Sequence, residues 1–223
     1  MTCTLILPCR DEAAALVDLL PRVPVQFAVI VVDNGSSDGT ADVAARLGAT
    51  VVHEPEPGYG AAVHAGVLAA ATEHVAVMDG DGSLDPADLV PLLDDVASGR
   101  ATMAVGRRRS VARGVWPWHA RLGNRLVLGW MRRRLAHESP HGFAVRDIAP
   151  IRVCRREDLL SLDLRDRRFG YPVELLQQAA RAGWRISERP VAYGARARGT
   201  RSKVSGSVRG TVRTARDFWR VLG

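Results

Sequence analysis

Two aspartates follow a strand-like apolar run in the segment that decides the fold, His74-Val75-Ala76-Val77-Met78-Asp79-Gly80-Asp81. The run has the length of a buried strand, and glycine lets the chain turn where the carboxylates begin. Two carboxylates placed in this way can face one hard cation, Mg²⁺ or Mn²⁺, which keeps open positions for phosphate oxygens. We therefore expect a metal site at Asp79 and Asp81. The alternative is a solvated acidic turn.

Strand and helix patterns alternate on both sides of this segment. We expect strands at residues 4–7, 28–32, 50–53, 74–78 and 101–105, and helices at residues 11–20, 38–47, 60–71 and 85–96. This alternation predicts an α/β fold with a mostly parallel sheet and helices on both faces. Ligands of such sheets bind outside the carboxyl ends of the strands.

The pattern changes after Gly106. We expect a helix at residues 120–135, a strand at 151–154, a helix at 172–182 and an extended segment at 185–193. A segment rich in Arg, Gly and Ser follows, and then a basic helix. We interpret residues 1–106 and residues 107–223 as two halves of one compact domain, and expect a basic lid and a C-terminal helix in the second half.

The net charge of +7 hides an asymmetry between the two halves. Residues 1–99 contain three arginines and fifteen acids, whereas residues 100–223 contain twenty-eight basic residues, all arginine except Lys203, and nine acids. Arginine suits phosphate recognition, although a GC-rich genome would also favour its codons. The asymmetry indicates a metal site on one side and a polyanion site on the other.

No apolar run approaches the roughly 18 residues of a membrane-spanning helix, and the first residues lack the pattern of a signal peptide. We expect a cytoplasmic protein that is peripheral on the inner face of the membrane. The three scattered cysteines fit neither a disulfide framework nor a zinc site. The sequence does not indicate an oligomeric state.

Two further turns carry candidate binding residues. Asp33 ends the second strand, where its carboxylate can accept hydrogen bonds from a base or a ribose. Gly58-Tyr59-Gly60 precedes an alanine-rich helix, and we interpret it as a close backbone approach to a nucleotide at a helix N-terminus. It differs from a dinucleotide-binding fingerprint at its last position, which argues against a nicotinamide-dependent enzyme.

Asp79-Gly80-Asp81-Gly82-Ser83-Leu84 also resembles the nucleophile loop of haloacid-dehalogenase-type phosphatases. Those enzymes need a later lysine and a later acidic pair at strand ends, and the motif opens their domain. Here the only lysine is Lys203, no acidic pair closes a later strand, and three strand–helix units come first. We therefore set this class aside.

Together the motifs resemble the family-two glycosyltransferases of GT-A fold, in particular their dolichyl-phosphate-mannose-synthase-like branch. The resemblance runs from about Thr4 to Gly206 and rests on seven motifs in the order of the family. They are Leu7-Pro8-Cys9-Arg10-Asp11-Glu12, Val31 to Thr40, Gly58 to Ala62, Met78 to Pro86, Val105-Gly106-Arg107, Gly123-Asn124-Arg125 and Ser202 to Gly206.

The resemblance implies an inverting, metal-dependent transfer of a mannose- or glucose-type hexose from a GDP- or UDP-sugar to a polyprenyl phosphate. Residues 1–106 would be the donor-binding half and residues 107–223 the acceptor-side half. Asp79 and Asp81 would hold the metal, and Arg107 and Arg125 would contact phosphate. The expected donor site comprises Pro8, Cys9, Arg10, Glu12, Asp33, Gly58, Tyr59, Gly60, Asp79 and Gly80. The expected catalytic residues are Asp81, Asp147, Arg107 and Arg125, and the phosphate lid is Arg198, Arg201 and Lys203.

Three departures from the family pattern concern Gly80, Ser83 and the segment Asp147 to Arg152, which is one residue short and puts the acceptor in doubt. Asp147 is expected to act as a base, to orient the acceptor or to form a turn. The ten arginines and three tryptophans between Val96 and His137, with no acid among them, favour a lipid phosphate at a membrane interface. The alternatives are a soluble hydroxyl acceptor and a basic binding module with an inactive catalytic fold. We do not expect a nucleic-acid partner.

Overall fold

The computed structural model describes residues 3–112 and 114–197. Its strands are β1 (Cys3–Cys9), β2 (Phe27–Asp33), β3 (Thr50–His53), β4 (His74–Met78), β5 (Met103–Ser110), β6 (Ile151–Arg155) and β7 (Ile186–Tyr193). They form one seven-stranded sheet in the order β3-β2-β1-β4-β6-β5-β7. All pairs are parallel except those of β6, which runs antiparallel to both β4 and β5. The mostly parallel sheet expected from the sequence is confirmed.

Helices cover both faces of this sheet, again as expected. They are α1 (Ala13–Leu19), α2 (Thr40–Arg46), α3 (Tyr59–Ala69), α4 (Leu89–Ala97), α5 (Trp118–Leu135), α6 (Arg156–Ser161) and α7 (Tyr171–Arg181), with 3₁₀ turns at Leu20–Arg22 and Pro86–Asp88. None of the helices within the described ranges is long and apolar enough to cross a membrane.

The side chains of β1 alternate between two apolar cores, because successive residues of a strand point to opposite faces of the sheet. Ile6 packs with residues of α3, α5 and α7 on one face. Leu5 and Leu7 pack with residues of α1 and α4 on the other. All of these side chains are fully buried, so the sheet is covered on both sides. Only its edges and the ends of its strands remain available to a ligand.

The candidate residues gather at one edge of the sheet. The carboxyl ends of β1, β2, β4, β5 and β7 meet there, since these strands run in the same direction. Because β6 runs the other way, its amino end lies at the same edge, and Asp147 shortly precedes it. This arrangement brings residues that are far apart in the chain to one site.

Three local features differ from the sequence expectations. β5 continues to Ser110 because it pairs with β7 over all eight of its residues, so the expected boundary at residue 106 lies inside a strand. The short helix α6 was not expected. Pro86 begins a 3₁₀ turn before α4, with Asp85 accepting a hydrogen bond from the Ala87 N–H at 3.0 Å. The division into two halves stays a prediction.

Candidate active site

The loops after β1 and β2 are fastened to each other through Asp38. Its carboxylate accepts hydrogen bonds from the N–H groups of Ala13 and Thr40, each at 3.0 Å. These are the first residues of α1 and α2, so one carboxylate satisfies donors at two helix N-termini. Burial opposes ionisation, but the hydrogen bonds from Thr40 and Ala13 keep the pKa of Asp38 below its usual range. Asp38 therefore ties the start of α1 to the start of α2.

Asp33 lies at the end of β2 with little of its side chain exposed. Its Oδ1 accepts a hydrogen bond from the Ser36 N–H at 3.2 Å, and its Oδ2 lies 3.4 Å from His53 Nδ1. Asp33 thus stabilises the turn that follows β2, a role that the sequence did not indicate. The carboxylate stands at the sheet edge, where a polar ligand can reach it.

Four residues of the expected donor site, Pro8, Cys9, Arg10 and Glu12, lie at the end of β1 or just after it, next to the end of β2. Cys9 pairs with Asp33 and Pro8 with Val32 in the parallel register of β1 and β2. Cys9 and Glu12 are buried, Pro8 is half-buried and Arg10 is exposed. The Glu12 N–H donates to Thr40 Oγ1 at 3.0 Å, which fixes the start of α1 against α2. The structure brings these four residues to one edge, and their contact with a nucleoside stays a prediction.

The glycines at the start of α3 have a structural reason that the sequence did not reveal. A Cβ on Gly58 or on Gly60 would collide with the backbone of residues 166–167. The Gly60 N–H donates to the Arg168 carbonyl at 3.1 Å, and the Ala61 N–H donates to the Arg167 carbonyl at 2.8 Å. The close backbone approach that we had attributed to a nucleotide is therefore made by the chain itself. Donor binding by this turn stays a prediction.

Gly80 and Gly82 allow the turn that follows β4, each for its own structural reason. A Cβ on Gly80 would collide with Cys9 Sγ, because the loop after β4 lies directly on β1. Gly82 has a φ of +76°, in the left-handed region that favours glycine. The two glycines let the chain turn tightly between Asp79 and Ser83.

Asp79 and Asp81 stand together after β4, as expected. Asp79 is half-buried and Asp81 is 4% exposed. Asp81 Oδ1 accepts a hydrogen bond from the Ser83 N–H at 3.0 Å, and Oδ2 lies 3.1 Å from Arg196 Nε. Burial first, and then the charge of Asp81, raise the pKa of Asp79 to about 6, whereas Arg196, Arg108 and Arg152 oppose the rise. The two carboxylates are thus close enough to repel one another.

This donor set fits a divalent cation. In residues 3–112 and 114–197, no group of three or more His, Cys, Asp or Glu side chains converges on one point. A cation held by Asp79 and Asp81 would keep open positions for phosphate oxygens. Ser83 Oγ is buried beside Asp81 and has no hydrogen-bond partner in the described part of the chain, so a further oxygen stands near the pair. A cation would also relieve the repulsion that raises the pKa of Asp79.

Asp147 forms a buried ion pair with Arg108. Asp147 is fully buried, and Arg108 donates to it from Nε at 2.9 Å, from the second terminal nitrogen at 2.6 Å and from the backbone N–H at 2.9 Å. Both carboxylate oxygens are therefore engaged. The Arg108 guanidinium also lies 4.1 Å from the centre of the Trp116 ring and 5.5 Å from that of Tyr193. This geometry favours a positioning role for Asp147.

A basic cavity of about 510 Å³ opens between β5 and α5. Trp116, Asn124 and Leu128 form part of its wall, and no acidic residue lines it. The rest of the wall consists of six arginines, namely Arg107, Arg108, Arg121, Arg125, Arg132 and Arg146. The predicted phosphate contacts Arg107 and Arg125 thus lie in one cavity, whose charge suits an anionic group.

Glu188 on β7 fastens one wall of this basic cavity. Its Oε1 accepts hydrogen bonds from the N–H groups of Arg146 at 2.7 Å and Asp147 at 3.2 Å. Its Oε2 lies 3.7 Å from Arg107 Nε. Arg107 is therefore held by a carboxylate behind it while it lines the cavity.

Arg152 is a buried cation that sequence reasoning missed as a site residue. It is 4% exposed, it donates to the Tyr59 hydroxyl at 3.1 Å, and its charge lowers the pKa of Asp79. Arg108 and Glu188 were also missed, because each contacts residues that are distant in the chain. The one signal in the sequence that could have pointed to these residues is their position in a strand, or directly after one, whose end lies at the candidate site. The predicted lid residues Arg198, Arg201 and Lys203 lie outside the described residues.

The sequence of this chain is similar to those of known glycosyltransferases. A family model described as glycosyl transferase family 2 matches residues 4–157. An uncharacterized glycosyltransferase of Mycobacterium tuberculosis is 53% identical over 219 residues, which is 98% of this chain and 97% of that protein. The polyprenol monophosphomannose synthase of Mycolicibacterium smegmatis is 32% identical over 221 residues, covering 91% of this chain and 80% of that one.

A solved structure shares the fold at lower sequence identity. Glucosyl-3-phosphoglycerate synthase of Mycobacterium tuberculosis, in complex with Mn²⁺, uridine diphosphate and glucosyl-3-phosphoglycerate, superposes with a TM-score of 0.73 at 22% identity, covering 99% of this chain and 78% of that one. The sheet order, the two aspartates after β4 and these matches lead to one assignment. The chain belongs to glycosyl transferase family 2, whose members are glycosyltransferases.

Proposed function

We propose that this glycosyltransferase moves a hexose from a GDP- or UDP-sugar to the phosphate of a polyprenyl phosphate, with inversion at the anomeric carbon and with Mg²⁺ or Mn²⁺ as cofactor. One observation carries the proposal. Arg108 lines a cavity with five other arginines, and its guanidinium lies 5.5 Å from the centre of the Tyr193 ring. The next residue, Gly194, donates its N–H to the Ser83 carbonyl in the loop of the carboxylate pair. The basic cavity and the carboxylate pair are therefore neighbours.

The donor side of the proposal rests on the edge formed by β1, β2 and β4. Asp33 would accept hydrogen bonds from the base or the ribose, and Asp79 with Asp81 would hold the cation. Held by these two carboxylates, a divalent cation would supply positive charge against the diphosphate leaving group. Arg196, which lies 3.1 Å from Asp81, adds a second positive charge at this place.

The acceptor side rests on the basic cavity. Arg107 and Arg108 are paired with Glu188 and Asp147, so the positive field for an anion comes mainly from the other four arginines of the wall. Arginine binds phosphate with two parallel hydrogen bonds. The relative from Mycolicibacterium smegmatis is named for a polyprenol monophosphate product, which supports a lipid phosphate as the acceptor.

The chemistry of such an acceptor needs no general base. A phosphomonoester has its second pKa near 6, so at neutral pH its oxygen is already an anionic nucleophile. That oxygen attacks C1 of the sugar from the face opposite the diphosphate. The bond from C1 to the diphosphate oxygen breaks, and the nucleoside diphosphate leaves with the electron pair. Asp147, with both oxygens on Arg108, holds an arginine of the cavity in place.

Product analysis tests the proposal. The full chain is incubated with Mn²⁺, a panel of GDP- and UDP-hexoses, and a short-chain polyprenyl phosphate, its dephosphorylated alcohol or phosphoglycerate. We expect mass spectrometry to detect a hexosyl phosphodiester only with the polyprenyl phosphate, and none with Asp81→Asn. Transfer to phosphoglycerate or to the alcohol instead would replace the lipid phosphate by a soluble or a hydroxyl acceptor.

A further inference from the structure

The outer face of α5 carries an unpartnered apolar stripe. Trp118, Leu122 and Leu126 are 75%, 47% and 65% exposed. Their spacing of four residues places them on one side of the helix. The opposite side already supplies the core, where Leu128, Met131 and Leu135 are buried. The exposed side chains of the stripe therefore do not contribute to the hydrophobic core.

The charge around the stripe limits what can cover it. Helix α5 contains five arginines and no acidic residue, and there is no Asp or Glu between Val96 and His137. A second copy of this chain docked on the same face would bring these arginines against their equivalents, which is unfavourable. The complementary partner is a surface with both negative charge and an apolar layer beneath it.

An anionic phospholipid bilayer has these two properties. Tryptophan favours the headgroup level, leucine enters the acyl boundary, and arginine binds lipid phosphate. A helix with this composition lies in the plane of the interface. Since no helix in the described ranges can cross a membrane, surface binding is the arrangement that α5 supports.

We propose that α5 binds the surface of an anionic bilayer through Trp118, Leu122 and Leu126. The same helix supplies Arg121, Asn124 and Arg125 to the basic cavity. Docking by the stripe therefore places one wall of that cavity at the level of the lipid phosphates. If the proposed function holds, a polyprenyl phosphate reaches the arginines with its chain still in the bilayer.

Vesicle binding tests the docking surface without donor or acceptor. The full chain is sedimented with vesicles of phosphatidylcholine, with or without phosphatidylglycerol, and the partition coefficient is compared with that of W118S/L122S/L126S. We expect binding that requires phosphatidylglycerol and falls about tenfold or more in the triple variant. The matched control V17S/V25S/L68S removes three other exposed apolar side chains and leaves binding unchanged.

Three outcomes would overturn the proposal: the triple variant binds as the wild type does, the wild type binds neither vesicle, or the stripe mediates a dimer in analytical ultracentrifugation. A second measurement, tryptophan fluorescence, starts from the wild-type protein and does not depend on the folding of the triple variant. Brominated lipids in the vesicles should quench tryptophan fluorescence, and W118F should lose most of that quenching. Turnover of a short-chain acceptor in solution is expected to survive in the triple variant, so a failure of the proposed reaction is seen separately.

Discussion

The Arg196 guanidinium lies against the Asp81 carboxylate, with Nε 3.1 Å from Oδ2. The contact is supported by the backbone, because the Ala197 N–H donates to the Asp81 carbonyl and the Gly194 N–H to the Ser83 carbonyl, at 3.0 and 2.8 Å. The segment after β7 is thereby attached to the loop after β4. A protein cation thus stands at the place where we expect a divalent cation to bind.

Replacing Arg196 by glutamine should tighten the binding of Mn²⁺ to the protein without nucleotide. The arginine side chain is partly exposed, so the lost competition is worth about 0.5–1 kcal/mol, or roughly two- to fivefold in affinity. Calorimetric titration with MnCl₂ measures it, with Arg133→Gln as an exposed control. Asp81→Asn should remove the binding. An unchanged Mn²⁺ affinity in Arg196→Gln would show that the ion pair does not compete.

Replacing Asp33 should affect nucleotide binding. Asp33→Ala should weaken GDP or UDP binding by roughly tenfold to a hundredfold, because hydrogen bonds to a charged group contribute about 1.5–3 kcal/mol. Calorimetry measures the affinity. Equal nucleotide affinity in wild type and Asp33→Ala would remove Asp33 from the site.

Replacing Asp38 should affect stability. Asp38→Ala should lower the unfolding free energy by about 1–2 kcal/mol, since two helix N-termini lose their acceptor. Urea unfolding measures this effect.

Replacing Arg125 should lower the efficiency with which the acceptor is used, whereas replacing Arg133 on the same helix should not. Arg125 lines the basic cavity and Arg133 is exposed outside it. We expect Arg125→Ala to lower kcat/KM for a short-chain polyprenyl phosphate by tenfold or more, since a charge-assisted hydrogen bond contributes about 1.5–3 kcal/mol. Arg133→Ala should change it less than about twofold. Similar effects of both variants would indicate a general charge effect instead of a specific contact.

The buried ion pair between Asp147 and Arg108 should contribute mainly to the stability of the fold. Asp147→Asn leaves an uncompensated buried guanidinium, which costs about 3–5 kcal/mol in unfolding free energy. The double variant Arg108→Met/Asp147→Leu should recover much of that loss, as apolar replacements of buried pairs do. Urea unfolding of the single and double variants measures the coupling.

The same Asp147→Asn variant distinguishes a positioning residue from a base. If Asp147 only holds Arg108, the residual activity keeps the pH profile of the wild type, with acceptor KM raised. Loss of the limb of the profile that reports an essential base would restore the catalytic role for Asp147.

Asp95 should make the fold sensitive to acid. Hydrogen bonds from Arg189 lower its pKa to about 2, against the effect of burial and with help from Arg100 and Ser187. An unfolded aspartate has its pKa near 3.9, so this stabilisation is complete above about pH 4 and disappears as the pH falls towards 2. The effect is on the order of 1–2 kcal/mol after allowance for solvent screening. Urea unfolding at several pH values should show a smaller acid loss in Asp95→Asn than in the wild type.

The sequence predicted the strands and the position of the carboxylate pair well, because β4 is an apolar run followed at once by Asp79, Gly80 and Asp81. It did not predict which strands are neighbours. Periodicity identifies β6 as a strand but contains no information about its place between β4 and β5 or its antiparallel direction.

Contacts between distant segments account for the remaining differences. Gly58 and Gly60 were interpreted through a ligand, whereas the backbone at Arg167 explains them. Arg196 and Arg108 look like ordinary members of an arginine-rich half until the fold brings them to Asp81 and Asp147. Residue type and spacing therefore predicted which strand ends carry the candidate donor residues, and the tertiary contacts show how those strand ends are held together.

The position of β6 has a consequence for synthesis on the ribosome. Both β4 and β5 leave the ribosome before Ile151–Arg155, their common neighbour in the sheet. At roughly 5–20 residues per second, the segment between Ser110 and Ile151 takes seconds to translate. During that interval the apolar strand β4 has one open edge, which is the kind of edge that recruits foreign strands. The sheet can therefore be completed between β4 and β5 only after β6 has left the ribosome.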